Sequence, residues 1–424
     1  MIRIAKGTGS AALAKILGRG NLRFEKQEKA VAAIIAALCE EGDQALFRLT
    51  KKFDRTVING RTVRLPFPGL KARAMLCEPR IRVAINAAIR NIKRYHLLQR
   101  QAGFSAHMGD GVVLGQRVLP VDSVAIYIPA GSAPLFSTVL MTVIPAQIAG
   151  VRRILVATPP VSGGLDPAIA YALMALRVTE VYRIGGAQAI AAFAFGTCSI
   201  PKVDKIVGPG NIYVSLAKKQ LYGIVDIDMI AGPSEVCVIA DAGAPAAYVA
   251  RDLLSQAEHG TGLESSVLLT PSMKLAKAVQ KEINTLASGN PVITRVLNNY
   301  GLICVLKDIA ECCAVANTIA PEHLELMVKQ PEIALKQIRH AGAIFLGYAT
   351  CESIGDYFAG PSHVLPTNGT ARFYSPLGVY NFVKRQSVIK YSDRALKKSG
   401  SKIIAMAEKE GMQYHAESVR VRMG

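Results

Sequence analysis

From residue 124 onward, apolar residues gather in short β-branched runs. VAIYI (124–128), RILVA (153–157), EVYRI (180–184) and DKIVG (204–208) begin about 25–30 residues apart, and Ala-rich helical stretches fill the gaps. That is the βαβ rhythm of a parallel sheet with helical crossovers. A second series follows: EVCVIAD (235–241), SSVLLT (265–270), LICVL (302–306) and AIFLG (343–347). Longer helical patterns separate its members, such as Ala246 to His259 and Met273 to Ala287. The pattern predicts an α/β chain with two parallel-sheet domains. Before residue 120 it is mostly helical, as in KAVAAIIAALCEEG (29–42). Residues 379–424 read as a polar, basic, helical tail with little apolar surface of its own. Such a tail is expected to dock on something else, another subunit included. Ser123 to Val151 carries no charge, yet it contains Pro129, Pro134, Pro145 and Gln147. A membrane span would be more uniformly apolar, so this stretch reads as a buried strand, a loop and a helix.

Composition narrows the classes. The chain has 424 residues, half of them hydrophobic, enough for two or three domains with real cores. It has no tryptophan and 6% aromatics, which weighs against a binder that stacks single-stranded bases. The net charge of +19 suggests nucleic acid until it is divided along the chain. Residues 1–120 carry a net +14 and residues 379–424 a net +6, whereas 121–378 carry −1. The basicity lies at the two ends. Eight scattered cysteines with no C-x-x-C spacing are not a disulfide framework and point to a reducing, cytoplasmic setting. The acid-poor start, with Arg3, Lys6, Lys15 and Arg19, reads as a basic first helix rather than a transit peptide.

Several motifs could carry chemistry. GPGN (208–211) and IGGAQA (184–189) follow expected strands and precede expected helices, so their amides could meet an anion. Without the third glycine of a dinucleotide fingerprint they read first as ordinary strand–helix turns. His259 lies three residues after Gln256, a spacing that puts both on one helical face. With Asp356 they could bind a metal, or the histidine could simply end a helix. His363 could be a ligand or stand behind one. Glu322 and His323 in APEHLEL (320–326) offer an acid beside an imidazole, either a proton-transfer pair or the start of a surface helix. His96 and His107 lack convincing partners, and His340 reads as a surface or cap residue. Cys237 and Cys304 sit in apolar strands and read as small buried hydrophobes, not covalent catalysts.

Taken together, IYIPAGSAPLFSTVLMTVIPAQIAGV (126–151), YRIGGAQAIAAFAFGT (182–197), KIVGPGNIYV (205–214), DMIAGPSEV (228–236), LLSQAEHG (253–260), IAPEHLEL (319–326), GDYFAGPSHVLPTNGTARFYSPLGV (355–379) and EGMQYHAESVRVR (410–422) resemble the histidinol dehydrogenase family. The resemblance runs in order from about residue 20 to the end. It implies oxidation of L-histidinol to L-histidine through an enzyme-bound aldehyde, the last steps of histidine biosynthesis, with two NAD+ reduced and one zinc per site. It implies two Rossmann-like domains with small helical end domains exchanged in a homodimer. On this chain that gives an N-terminal segment 1–20, a large domain of 21–125 plus 235–378, a second domain 126–234 and a tail 379–424 that reaches the partner. The implied zinc ligands are Gln256, His259, Asp356 and His415. Glu322 and His323 would transfer protons, and Tyr127, Gln188 and Asn211 would contact the nucleotide. Ser234, His323 and Glu410, with the zinc ligands, would contact the substrate. No nucleic acid or membrane partner is expected. One departure stands out: the family's Pro-Gly-Gly after the tyrosine reads Pro129-Ala130-Gly131. Where the first glycine has positive φ, alanine would strain the turn. Two other readings remain: a paralogue that oxidises another small alcohol, and a basic nucleic-acid binder on a dehydrogenase scaffold. Retention of Glu410 and His415 speaks against an anionic substrate, and the intact site residues against the second.

Overall fold

The computed structural model describes residues 2–21, 23–129 and 134–424. Ala130, the departure noted above, lies outside the described residues. Two six-stranded sheets and one three-stranded sheet organise the chain.

The first sheet runs Arg64–Leu65, Glu180–Tyr182, Arg153–Ala157, Ser123–Tyr127, Lys205–Val207, Asp226–Ile227. All neighbours are parallel except the short Arg64–Leu65 edge. Chain order reverses between Ser123–Tyr127 and Lys205–Val207, which opens a crevice beyond their carboxyl ends. Alternation sends Val124, Ile126 and Ile128 into one core and Ala125 and Tyr127 into the other. The uncharged stretch is a strand, then the buried helix Phe136–Ala149, as expected.

Residues 25–97 are largely helical, but they pack on this first sheet, whereas the sequence reading joined 21–125 to residues 235–378. The stripe Ile85, Ala88, Ile89 and Ile92 of helix Pro79–Leu97 recurs at helical spacing and covers Phe136–Ala149. Val31, Ile34 and Leu46 close the opposite face. An apolar stripe declares that a helix is covered, not by which sheet.

The second sheet runs Arg3–Lys6, Gly301–Val305, Ser265–Thr270, Glu235–Ala240, His323–Met327, Ala343–Leu346, with every pair parallel. Two of its strands correct expectations. Arg3–Lys6 is an edge strand where a basic helix was expected, so the first residues belong to this sheet. Its basic ends flank Ile4 and Ala5, which meet the two cores. His323–Met327 is a buried central strand, not a helix start; Glu325 at its centre interrupts the apolar run and hides it. Cys237, Cys304, Cys312 and Cys313 share one core under this sheet, and burial pushes each thiol up, consistent with inert packing.

The third sheet joins the hairpin Phe104–Gly109 and Val112–Pro120 to Val383–Lys390, all antiparallel. The tail is therefore not wholly helical: it opens with a strand, then helices Asp393–Lys409 and Gln413–Met423. Ser392 donates to the Asp110 carbonyl, and Lys398 pairs with the Asp110 carboxylate at 2.7 Å, which anchors the helices to the hairpin tip. Only Ala395, Gly400 and Ala416 are buried in these two helices. Among the described residues, no helix is long and apolar enough to cross a membrane.

Candidate active site

A cleft of about 500 Å³ lies between the two large sheets. From the first sheet come the segments after the strands: Pro129 and the turn Pro209–Asn211. From the second come segments before or at the starts of strands: Ser234, His259, Glu264, Glu322 and His323. Carboxyl ends of one sheet thus face amino ends of the other.

Glu235 and His323 begin adjacent strands, and their backbones build the centre of the site. The Glu235 N–H donates to Glu322 Oε2 at 2.9 Å. The Glu235 carbonyl lies 3.1 Å from His323 Nδ1 and accepts its proton, so in the neutral ring Nε2 would keep the lone pair. Nε2 has no hydrogen-bond partner. The Glu235 carboxyl accepts from Arg19 Nη1 at 2.8 Å and from the Asn368 N–H at 3.1 Å. Arg19 also donates to the Leu263 carbonyl at 2.5 Å.

Three carboxyls surround the imidazole. Glu322 and Glu352 lie 3.8 and 3.7 Å from Nδ1, and Asp356 lies 3.6 Å from Nε2. Burial alone would depress His323, but the charges of Glu352, Glu322 and Asp356 win and hold it well above the usual histidine range. Burial pushes Glu322 up to about 7 and Glu352 up to about 8, against the pull of His323. Asp356 goes the other way: burial raises it, but the closeness of His323 and the charges of the nearby imidazoles outweigh that. Behind this layer Glu325 accepts the Glu352 N–H at 2.9 Å, and burial beside Asp252 raises it far above the carboxylate range. Burial also lifts Asp252, to about 6.

The structure brings most of the expected residues together. Ser234, His259, Asp356, Glu322, His323, His363 and Asn211 line the cleft. Gln256 is fully buried on the last turn of helix Ala246–Ala257, and neither of its amide atoms has a partner. His259 stands just beyond that helix's end rather than on it. His363 Nε2 lies 3.1 Å from Ser137 Oγ, and burial keeps its pKa low. Asn211 caps helix Ile212–Leu221, its Oδ1 accepting from the Tyr213 and Val214 amides. Tyr127 and Gln188 are not brought to the cleft wall. Tyr127 Oη accepts the Gly186 N–H at 3.2 Å, with its phenol pushed by burial to about 12. Gln188 donates to Asp54 at 3.3 Å. Glu410 and His415 are exposed on the tail and do not line the cleft of their own chain.

Sequence reasoning missed Glu352, Glu325, Asp252, Glu235 and Arg19. Glu352 had a faint signal, since it stands one helical turn before Asp356. Arg19 and Glu235, 216 residues apart, had none.

The raised groups set a pH dependence. A group whose folded pKa exceeds its unfolded value stabilises the fold at low pH, and that stability fades as pH rises through the folded pKa. Glu322, Glu352 and His323 all have this sign, and above pH 7 the depressed His96 and His363 are neutral in both states. Protein stripped of divalent ions should therefore lose stability between pH 7 and 8.5, by about 1.4 kcal/mol per pH unit for each extra proton held in the folded state. Urea unfolding at several pH values measures this; a flat or rising profile contradicts the arrangement.

Comparison with known proteins agrees with this geometry. The family model described as histidinol dehydrogenase matches residues 17–423. The histidinol dehydrogenase of Halalkalibacterium halodurans is 47% identical over 94% of this chain and 94% of its own length. That of Aquifex aeolicus is also 47% identical, over 95% and 94%. The crystal structure of histidinol dehydrogenase from Elizabethkingia anophelis superposes with a TM-score of 0.93 at 37% identity, covering 100% of this chain and 98% of that one. Motif order, fold and near-complete coverage agree, and the chain belongs to the histidinol dehydrogenase family.

Proposed function

We propose that the protein oxidises L-histidinol to L-histidine through histidinaldehyde, with two NAD+ reduced and one zinc ion per site. The observation that carries this reading is the pairing of a buried imidazole, its Nε2 left free, with a buried carboxyl of raised pKa in one cleft. An alcohol oxidation must lose a proton as well as a hydride, and the aldehyde must gain water before the second hydride leaves. The carboxyls around His323 favour its charged form, so the ring must first release a proton; a cation bound beside Asp356 would favour that release, and the neutral ring then takes the alcohol proton at Nε2. Glu322, poised near neutral, takes a proton from the water that adds to the aldehyde. The hydrate then gives up its second hydride and a proton, which leaves the carboxylate. Burial of both groups keeps bulk water from the aldehyde.

The donor set suits zinc. His259 lies near enough to Asp356 to act on its charge, and with the two orphaned amide atoms of Gln256 they give nitrogen and oxygen donors of the kind zinc takes. His323, Glu352 and Asp356 also hold ligand atoms within 4.8 Å of one another, so the acidic wall favours a cation. Zinc there would bind the imidazole and amine of the substrate and steady its alcohol oxygen. The N-terminus of helix Ile212–Leu221, opening on the cleft, suits the dinucleotide's pyrophosphate. Tyr127, Gln188 and Asn211 remain the proposed nucleotide residues. Tyr127 acts through the Gly186 turn whose N–H it accepts, and Gln188, at the start of helix Gly186–Phe195, is held by Asp54.

The remaining ligand, His415, and Glu410 are proposed to come from a second subunit in an exchanged homodimer, with Ser234 contacting the substrate from this chain. The support is the tail itself: its two helices bury only Ala395, Gly400 and Ala416 on their own chain, and Ile389, Met406, Tyr414 and Val421 stay exposed. The eight free cysteines support a cytoplasmic location.

Purified protein should form two NADH for each L-histidinol consumed, lose that activity to a strong chelator and regain it with zinc. Absence of NADH formation from histidinol, or full activity in demonstrably metal-free protein, contradicts the reading. For the exchanged tail, His323→Asn and His415→Asn homodimers should each be nearly inactive. Unfolded together and refolded as a mixture, they should recover roughly a quarter of the wild-type sites, because half of each heterodimer's sites collect no lesion. Activity that stays at the level of the separate variants means the tail serves its own chain.

A further inference from the structure

The turn Gly208–Asn211 is held from below by an ion pair that no step above uses. Lys218, on helix Ile212–Leu221, and Asp228, just after strand Asp226–Ile227, pair with side chains 3% and 0% exposed. The Asp228 carboxylate accepts the Gly208 N–H at 2.7 Å and the Met229 N–H at 2.7 Å. Lys218 Nζ donates to the Gly208 carbonyl at 3.0 Å. Both polar groups of one glycine thus end on one buried ion pair.

The turn has little slack. Gly208 has φ +113°, and a Cβ there would lie 2.3 Å from the Tyr127 carbonyl oxygen. At Gly210 a Cβ would lie 2.4 Å from Val214. The residues that follow the clamp, Pro209, Gly210 and Asn211, line the cleft, whereas Lys218 and Asp228 do not. A buried ion pair commonly adds no more stability than an apolar pair of the same volume, because desolvation offsets the attraction. What this pair adds is direction: it ties the turn to the end of the neighbouring strand and fixes where the turn's backbone points.

We propose that Lys218 and Asp228 are positioning residues for the dinucleotide. They clamp Gly208 so that Pro209, Gly210 and the helix N-terminus behind Asn211 face the pyrophosphate. The proposal rests on the cofactor reading above. It accounts for phosphate binding at a turn that lacks a full glycine fingerprint: a side-chain clamp replaces the missing glycine's shaping of the loop.

The test compares KM values for NAD+ and for L-histidinol in zinc-loaded protein. Lys218→Met/Asp228→Asn removes both charges together, so no lone buried charge is left. It should raise the KM for NAD+ about 10-fold or more, with the KM for histidinol and the zinc content near wild type. Asp228→Glu keeps the charges but lengthens the arm that holds Gly208. It should also raise the KM for NAD+ selectively, and it serves where the double variant does not fold. An unchanged KM for NAD+ in either folded variant overturns the clamp, as does an equal rise in both KM values, which would mark general loosening. Wild-type protein that binds no NAD+ by calorimetry would sink the cofactor reading and the clamp with it; wild-type binding with unaltered variants sinks the clamp alone.

Discussion

The catalytic end of the molecule depends on how one water-excluded carboxyl, that of Glu235, is accommodated. Burial pushes this group above the usual range, and the Arg19 guanidinium at 2.8 Å opposes that. A charge left buried and unpaired costs several kcal/mol, so Arg19 and the Asn368 N–H are conditions for the strand starting where it does. With that start fixed, the Glu235 backbone places two other groups: its N–H holds the Glu322 carboxyl and its carbonyl holds His323 Nδ1. Stability and chemistry share one peptide segment here. The first residues of the chain join through the same contact, since Arg19 follows the edge strand and helix that complete the second sheet.

Open parallel sheets usually bind ligands beyond their carboxyl ends. The first sheet follows that rule, with its two central strands leading into Pro129 and Pro209–Asn211. The second sheet breaks it and offers the starts of its strands instead. The arrangement divides the labour. Helix N-termini and glycine turns on one side suit an anionic cofactor; buried acids on the other suit a cationic substrate and a metal. The neutral net charge of residues 121–378 fits this opposition of the two walls better than the basic ends of the chain do.

Much of this was legible in the sequence, for identifiable reasons. The runs 124–128, 153–157, 235–241 and 265–270 are strands buried on both faces, so they read as continuous β-branched blocks. His323–Met327 was not legible, because His323, at the cleft, and Glu325, which holds the Glu352 N–H, occupy strand positions where apolar residues would have announced it. The motif as a whole singles out Glu322 and His323, and both line the cleft, although on a strand start rather than a helix start. Tyr127 and Gln188 stand out by motif, yet both are covered: Tyr127 holds the Gly186 N–H and Gln188 the Asp54 carboxylate, and neither lines the cleft. Arg19, Asp252 and Glu325 left no trace, because their partners are distant in sequence and meet only through the fold.

On the proposed mechanism Glu235 fixes the tautomer of His323, so that Nε2 is the base that faces the cleft. Nitrogen-15 NMR of histidine-labelled, zinc-loaded protein, with His323 assigned by its loss in His323→Asn, tests this most directly. At a pH where the ring is neutral, Nδ1 should be protonated and pyrrole-like and Nε2 unprotonated and pyridine-like. A His323 that carries its proton on Nε2, with Nδ1 free, would contradict it.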